Sequence, residues 1–206
     1  MQSGLKKRNR PLRVGITGGI GSGKTVVTKI FALLNIPIYN ADIRAKWILA
    51  NNPLVKEGVL TLFGPESFTR GELNKKYIAS LVFNNQEKLG KLNALVHPEV
   101  GKDFERWAEE QSESDYVLKE AALMFESGSY KLLDKVITVF CPEDLRIQRL
   151  LQRDDRRTEK EIRQIMEKQL SDEEKVRRSD YVIFNDETKL LITQVLELDK
   201  SIRELS

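Results

Sequence analysis

From Gly18 to Thr25 the chain reads Gly-Gly-Ile-Gly-Ser-Gly-Lys-Thr, matching G-x-x-x-x-G-K-[ST], the spacing by which a loop wraps phosphate. Side-chain-free backbone lets several N–H groups converge on phosphate oxygens, and a helix opening at the end of the loop adds the positive end of its dipole. The cradle comprises Gly18, Gly19, Ile20, Gly21, Ser22, Gly23, Lys24, Thr25 and Val26, where the helical run Val26 to Leu34 begins. Lys24 is placed to reach the β- and γ-phosphates, and the Thr25 hydroxyl to meet a magnesium ion. Accidental matches of this length arise on the order of 0.01 times in a chain of this size. The match therefore favours a nucleotide site over a bare turn.

Other residues could carry chemistry. Asp42 lies just past the apolar run Ile36 to Asn40, where a carboxylate could orient an acceptor hydroxyl and accept its proton. It also reads as the N-cap of a helix Ile43 to Ala50, and a capping carboxylate can do both. Arg149 and Arg153 share one helix face within a charged segment that looks like the lid of a small-molecule kinase; a solvated surface face is the alternative. His97, the single histidine, precedes Pro98 and reads on composition as a loop or helix-start residue. With no Cys/His cluster, the expected metal is one that prefers oxygen ligands, Mg2+. Asn74-Lys75-Lys76-Tyr77 lacks the aspartate of the guanine-reading motif [N/T]-K-x-D, which argues against a GTPase switch. Cys141 ends an apolar strand and reads as a small core residue.

Positioning these groups requires strands. Leu12 to Thr17, Ile36 to Asn40, Tyr116 to Glu120, Val136 to Phe140 and Tyr181 to Phe184 are apolar runs of strand length. Between the second and third, helical patterns cover Leu54–Phe63, Asn74–Phe83, Gln86–Val96 and Glu99–Gln111, broken at Gly64-Pro65 and His97-Pro98, with no strand candidate among them. Strands alternating with helices predict an α/β fold, a doubly wound parallel five-stranded sheet of the P-loop kinase type. Ligands of such a sheet belong at the carboxyl ends of its strands, which groups Gly18–Thr25, Asn40–Asp42, Glu120–Glu126 and Asn185 around one crevice. Leu190, Leu191, Val195, Leu198, Ile202 and Leu205 form a closing helical packing stripe.

The 206 residues suit one domain, with 40% hydrophobic and 32% charged residues in the range of soluble globular proteins. The net charge of +3 is a property of the tail: residues 1–13 hold five basic residues and no acid, leaving 29 basic against 31 acidic beyond them. We expect residues 1–11 to be a disordered, solvated basic tail and 12–206 a single kinase domain, with a helical insertion at about 52–112 and a lid at about 146–178. The chain has no apolar run of membrane-spanning length, no signal-peptide pattern and a single cysteine, so a cytoplasmic protein without membrane or nucleic-acid partners is expected. A monomer or weak homo-oligomer is expected.

From Leu12 onward the chain resembles the dephospho-CoA kinase family. The resemblance rests on Thr17 to Lys24, Asn40-Ala41-Asp42, Phe63-Gly64, Val82-Phe83, Val96-His97-Pro98-Glu99-Val100, Leu123-Met124-Phe125-Glu126, Gln148-Arg149-Leu150-x-x-Arg153 and Ser179 to Asn185 in that order. It implies ATP-dependent phosphorylation of the ribose 3′-hydroxyl of dephospho-CoA, with ATP and dephospho-CoA as substrates and Mg2+ as cofactor. By the same resemblance Asp42, Lys24 and Arg153 are catalytic, Arg149 and Asn185 serve ATP, and Phe83, His97, Pro98 and Glu120 join Asp42 on the acceptor side. The division of roles between Arg149 and Arg153, and any contact of Glu120 with the metal site, stay open. The chain departs from the family at Asn40 and Glu120, both positions where the family has Asp, at Ala122 in place of Pro, and at Thr25-Val26 in place of Ser-Thr. A kinase for another small alcohol and a non-catalytic nucleotide-binding module are the alternatives.

Overall fold

The computed structural model describes residues 10–83, 85–154 and 157–206. Most of the expected basic tail, with Lys6, Lys7 and Arg8, lies outside them, as do Asp155 and Arg156 of the expected lid. In chain order the elements are β1 (Leu12–Thr17), α1 (Lys24–Leu33), β2 (Ile38–Asn40), α2 (Ala41–Asn51), α3 (Pro53–Phe63), β3 (Phe68–Thr69), β4 (Glu72–Leu73), α4 (Lys75–Val82) and α5 (Gln86–Glu109). Then follow β5 (Tyr116–Glu120), β6 (Lys135–Phe140), α6 (Glu143–Arg153), α7 (Glu159–Glu167), α8 (Asp172–Arg178), β7 (Tyr181–Phe184) and α9 (Leu191–Arg203). The described residues form two compact units, one from 10–40 with 107–206, the other from 41–106.

In the first unit five parallel strands lie in the order β2-β5-β1-β6-β7. Helices cover both faces of such a sheet, so its strands carry apolar residues with little alternation: every residue of β5 is buried, even Lys119 and Glu120. One face packs Val14, Ile16 and Leu118 against Val27 and Phe31 of α1 and Val195, Leu198 and Ile202 of α9. Each such side chain, fully buried, is worth about 1.5–3 kcal/mol. Tyr116 adds a polar tie: its ring meets Phe31 edge-on at 6.4 Å and its hydroxyl donates to Asp199 of α9 at 2.6 Å. Burial, with Asp199 next, pushes that phenol well above its ordinary pKa. Of the closing stripe, Leu190 and Leu205 are exposed and do not join the core.

The second unit is mostly helical, with Asn52 capping α3 by accepting from Val55 N at 3.1 Å and Asn74 capping α4 by accepting from Tyr77 N at 3.2 Å. Three expectations fail here. A short antiparallel pair, β3 with β4, interrupts the helices, turning at Arg70 (φ 53°) and Gly71 (φ 84°), both in the left-handed region that two-residue hairpins demand. His97-Pro98 does not divide α5, which runs through it. Proline inside a helix costs about 3 kcal/mol, but Leu92, Val96, Val100 and Phe104 form one buried stripe at four-residue spacing across the site, and that packing holds both halves in line. Lastly, α2 starts at Ala41, so Asp42 stands in its first turn and is not its N-cap. Among the described residues no helix is long and apolar enough to cross a membrane.

Candidate active site

The turn after β1 forms the phosphate loop. Gly23 takes φ 95° and ψ 18°, a left-handed conformation that an L side chain adopts only with strain. A Cβ there would lie 2.2 Å from Asn185 Nδ2, an amide that donates to Ser22 O at 2.8 Å. Gly23 O in turn accepts from Val26 N at 2.9 Å and Val27 N at 3.2 Å, starting α1. Lys24 Nζ folds back over the loop, donating to Gly18 O at 2.8 Å and Gly19 O at 3.2 Å. The ammonium thus sits over the loop's own carbonyls, where an incoming anion can exchange with them.

Beside the loop, Glu120 gathers hydroxyls and an amide. Thr25 Oγ1 lies 3.5 Å from its Oε1, Thr28 Oγ1 3.5 Å from its Oε2, and Asn40 Nδ2 donates to Oε2 at 3.1 Å. Parallel pairing of β2 with β5 sets Asn40 directly against Glu120, so the two departures from the family pattern at these positions touch each other. Two carboxylates side by side would repel, whereas amide and carboxylate form a donor–acceptor pair. The donors available to a metal here are hydroxyl and carboxylate oxygens, a set that fits Mg2+, which prefers oxygen and takes few protein ligands when phosphates supply the rest.

Helix α6 sets out arginines on one face at 146, 149 and 153. Arg149 Nη1 donates to Asn185 O at 3.2 Å and to Cys141 Sγ at 3.3 Å, while Nη2 meets Glu187 Oε1 at 3.0 Å. Asn185 N donates to Phe140 O at 2.8 Å, so Arg149 is held where β6 and β7 end. Burial pushes the Cys141 thiol above its ordinary pKa, opposed by Arg149 and Arg146, and the buried side chain is a core residue. Arg153 is exposed at the end of α6, and its side chain makes no hydrogen bond or ion pair with another described residue.

Arg146 and Gln169 were missed by the sequence reading. Ile20, expected in the phosphate cradle, donates its N–H to Gln169 Oε1 at 2.9 Å, and its carbonyl accepts from Arg146 Nη1 at 3.4 Å. The recurrence of arginine along α6 was a signal for Arg146; nothing local marks Gln169. The first unit therefore brings together Gly18 to Val26, Glu120, Arg149 and Asn185. Asp42, Phe83, His97 and Pro98 belong to the second, and all four are exposed. His97 and Pro98 lie inside α5, and Phe83 closes α4 as its C-cap.

A family model described as CoaE, dephospho-CoA kinase, matches residues 12–190. A dephospho-CoA kinase of Bacteroides fragilis (strain YCH46) is 37% identical over 187 residues, covering 91% of this chain and 91% of that protein. Among solved structures, TT1252 from Thermus thermophilus superposes with a TM-score of 0.83 at 29% identity, over 96% of this chain and 99% of its own. The dephospho-CoA kinase from Campylobacter jejuni gives a TM-score of 0.69 at 26% identity, over 93% and 97%.

Proposed function

This chain belongs to the dephospho-CoA kinase family, and from that premise we propose how its residues divide the work of the reaction. The reaction is ATP-dependent phosphorylation of the ribose 3′-hydroxyl of dephospho-CoA, giving CoA and ADP, the last step of coenzyme A biosynthesis. Phosphoryl transfer asks for positioning and charge neutralisation more than for covalent chemistry. The backbone from Gly18 to Val26, apart from the Ile20 N–H already bonded to Gln169, and the N-terminus of α1 hold the β- and γ-phosphates of ATP. Lys24 leaves the carbonyls of Gly18 and Gly19 for phosphate oxygens. Asp42 orients the 3′-hydroxyl and accepts its proton as the oxygen bonds to the γ-phosphorus and the bond to ADP breaks.

The observation that carries this reading is the loop itself, with Lys24 over its carbonyls and Thr25 facing Glu120. The Thr25 hydroxyl would hold Mg2+, with Glu120 reaching it through water. When bound there, the ion neutralises charge on the phosphate oxygens. Arg149 and Asn185, joined at the end of β7, serve the adenine side of ATP. His97, Pro98 and Phe83 receive the acceptor. A cytoplasmic enzyme, monomeric or weakly self-associating, without nucleic-acid or membrane partners, completes the reading.

The purified chain with ATP and dephospho-CoA is expected to make CoA and ADP in equal amounts, and to stop when EDTA removes divalent cations. Transfer at an undiminished rate in EDTA would remove the metal role of Thr25. Phosphorylation of another alcohol with dephospho-CoA left untouched would overturn the acceptor assignment.

We assign Arg153, at the exposed end of α6, to the charge that develops on the transferred group. Arg153→Ala should lower kcat on the order of 10²-fold, with ATP affinity changed far less, because a charge engaged in the transition state acts on turnover. Steady-state kinetics beside ATP titration checks this. Loss of affinity with kcat preserved at saturation would make Arg153 a binding residue only.

A further inference from the structure

A glycine-rich loop is costly to order, since glycine loses more backbone freedom on folding than any other residue. Ligand binding is stronger when that cost is met before the ligand arrives. In this chain the middle of the phosphate loop is held from outside. Ile20 N–H donates to Gln169 Oε1 at 2.9 Å, its carbonyl accepts from Arg146, and its side chain packs against Ile147, Leu150 and Ile162 of α6 and α7. Gly19 permits the approach: a Cβ there would lie 2.1 Å from Arg146 Nη1. Arg146 is 4% exposed and ion-paired with Asp172, so its guanidinium is held against the loop.

Gln169 is equally well anchored. It sits in the turn between α7 and α8, next to Leu170, whose N–H donates to Glu126 Oε1 at 2.7 Å and whose carbonyl accepts from Lys175 Nζ. Lys175 is buried, and its ammonium lies 3.8 Å from Glu126. The turn is thereby tied to the segment following β5 on one side and to α8 on the other.

We propose that Gln169 is a positioning residue of the kinase, which through the Ile20 N–H holds the phosphate loop in its ATP-binding shape before ATP arrives. Arg146, paired with Asp172, braces the same residue from its carbonyl side. The proposal rests on the loop's being the ATP site, and the two failures separate because amide exchange in the ligand-free protein reads the clamp without ATP.

The test replaces Gln169 with Met, similar in length but without the amide oxygen. Exchange of the Ile20 N–H in the ligand-free protein should quicken about tenfold, and the Kd for ATP should rise about tenfold, the scale of one hydrogen bond. The Kd for dephospho-CoA should stay within about twofold, since a phosphate-loop defect is not an acceptor defect. Gln169→Glu keeps an acceptor oxygen and should retain the protection of Ile20, which also covers a Met variant that folds poorly. Unchanged exchange in the Met variant overturns the clamp. Quickened exchange with parental ATP affinity overturns its role in binding. Equal losses for both ligands mark a general loss of stability and overturn it as well.

Discussion

Lys24→Ala is expected to leave a folded protein in which phosphoryl transfer has fallen on the order of 10³-fold or more, below detection in an ordinary assay. The side chain makes its described bonds to Gly18 O and Gly19 O, both within the loop. Their loss costs about 1 kcal/mol each. The loop keeps its other ties, Ser22 N to Gly19 O, Asn185 to Ser22 O and Ile20 to Gln169. The melting temperature should therefore fall by no more than about 4–8 °C, at about 2–4 °C per kcal/mol in a chain of this size. What disappears is a full positive charge beside phosphates in a partly desolvated site, where it neutralises charge that builds on the transferred group. Turnover at saturating ATP, ATP titration and thermal melting together check this. Magnesium-dependent product at the parental rate from a folded variant would refute the role of the loop lysine.

The phosphate loop was legible because everything it needs is local: a strand of buried residues, glycines at fixed spacing, then a helix. The sheet was legible for a related reason. Strands covered on both faces become continuous apolar runs, and Tyr116–Glu120 and Tyr181–Phe184 are bounded as the runs predict. Where the reading failed, a distant contact outweighed a local preference. Pro98 signals a helix break, but the packing stripe from Leu92 to Phe104 carries α5 through it. Phe68-Thr69 and Glu72-Leu73 are too short to show a strand period, and only their pairing makes them strands. In the site, Asn40 and Glu120 could each be named from the chain, but their hydrogen bond spans 80 residues and follows from strand register. The bond from Ile20 to Gln169 spans 149 residues and has no local signature.

Asp42→Asn separates mechanism from scaffold. Asp42 is an exposed residue in the first turn of α2, two positions past the end of β2, where its charge favours the helix dipole. Asparagine keeps the size and removes the charge. The dipole contribution lost is about 0.3–1 kcal/mol, so α2 should persist and the melting temperature should move by only a few degrees. The same change removes a group able to take a proton from the ribose hydroxyl. General-base catalysis typically contributes about 10²–10⁴-fold, so kcat should fall into that range. ATP affinity should stay near the parental value, because phosphate is bound by the loop, and a loss confined to kcat marks an interaction made in the transition state. Pre-steady-state transfer with both substrates saturating, beside ATP titration, reads both quantities. An Asn variant that transfers phosphate within about threefold of the parent, well short of that range, would leave Asp42 as a helix-start acid and move the search for the proton acceptor to Glu120, the carboxylate already held by Asn40, Thr25 and Thr28.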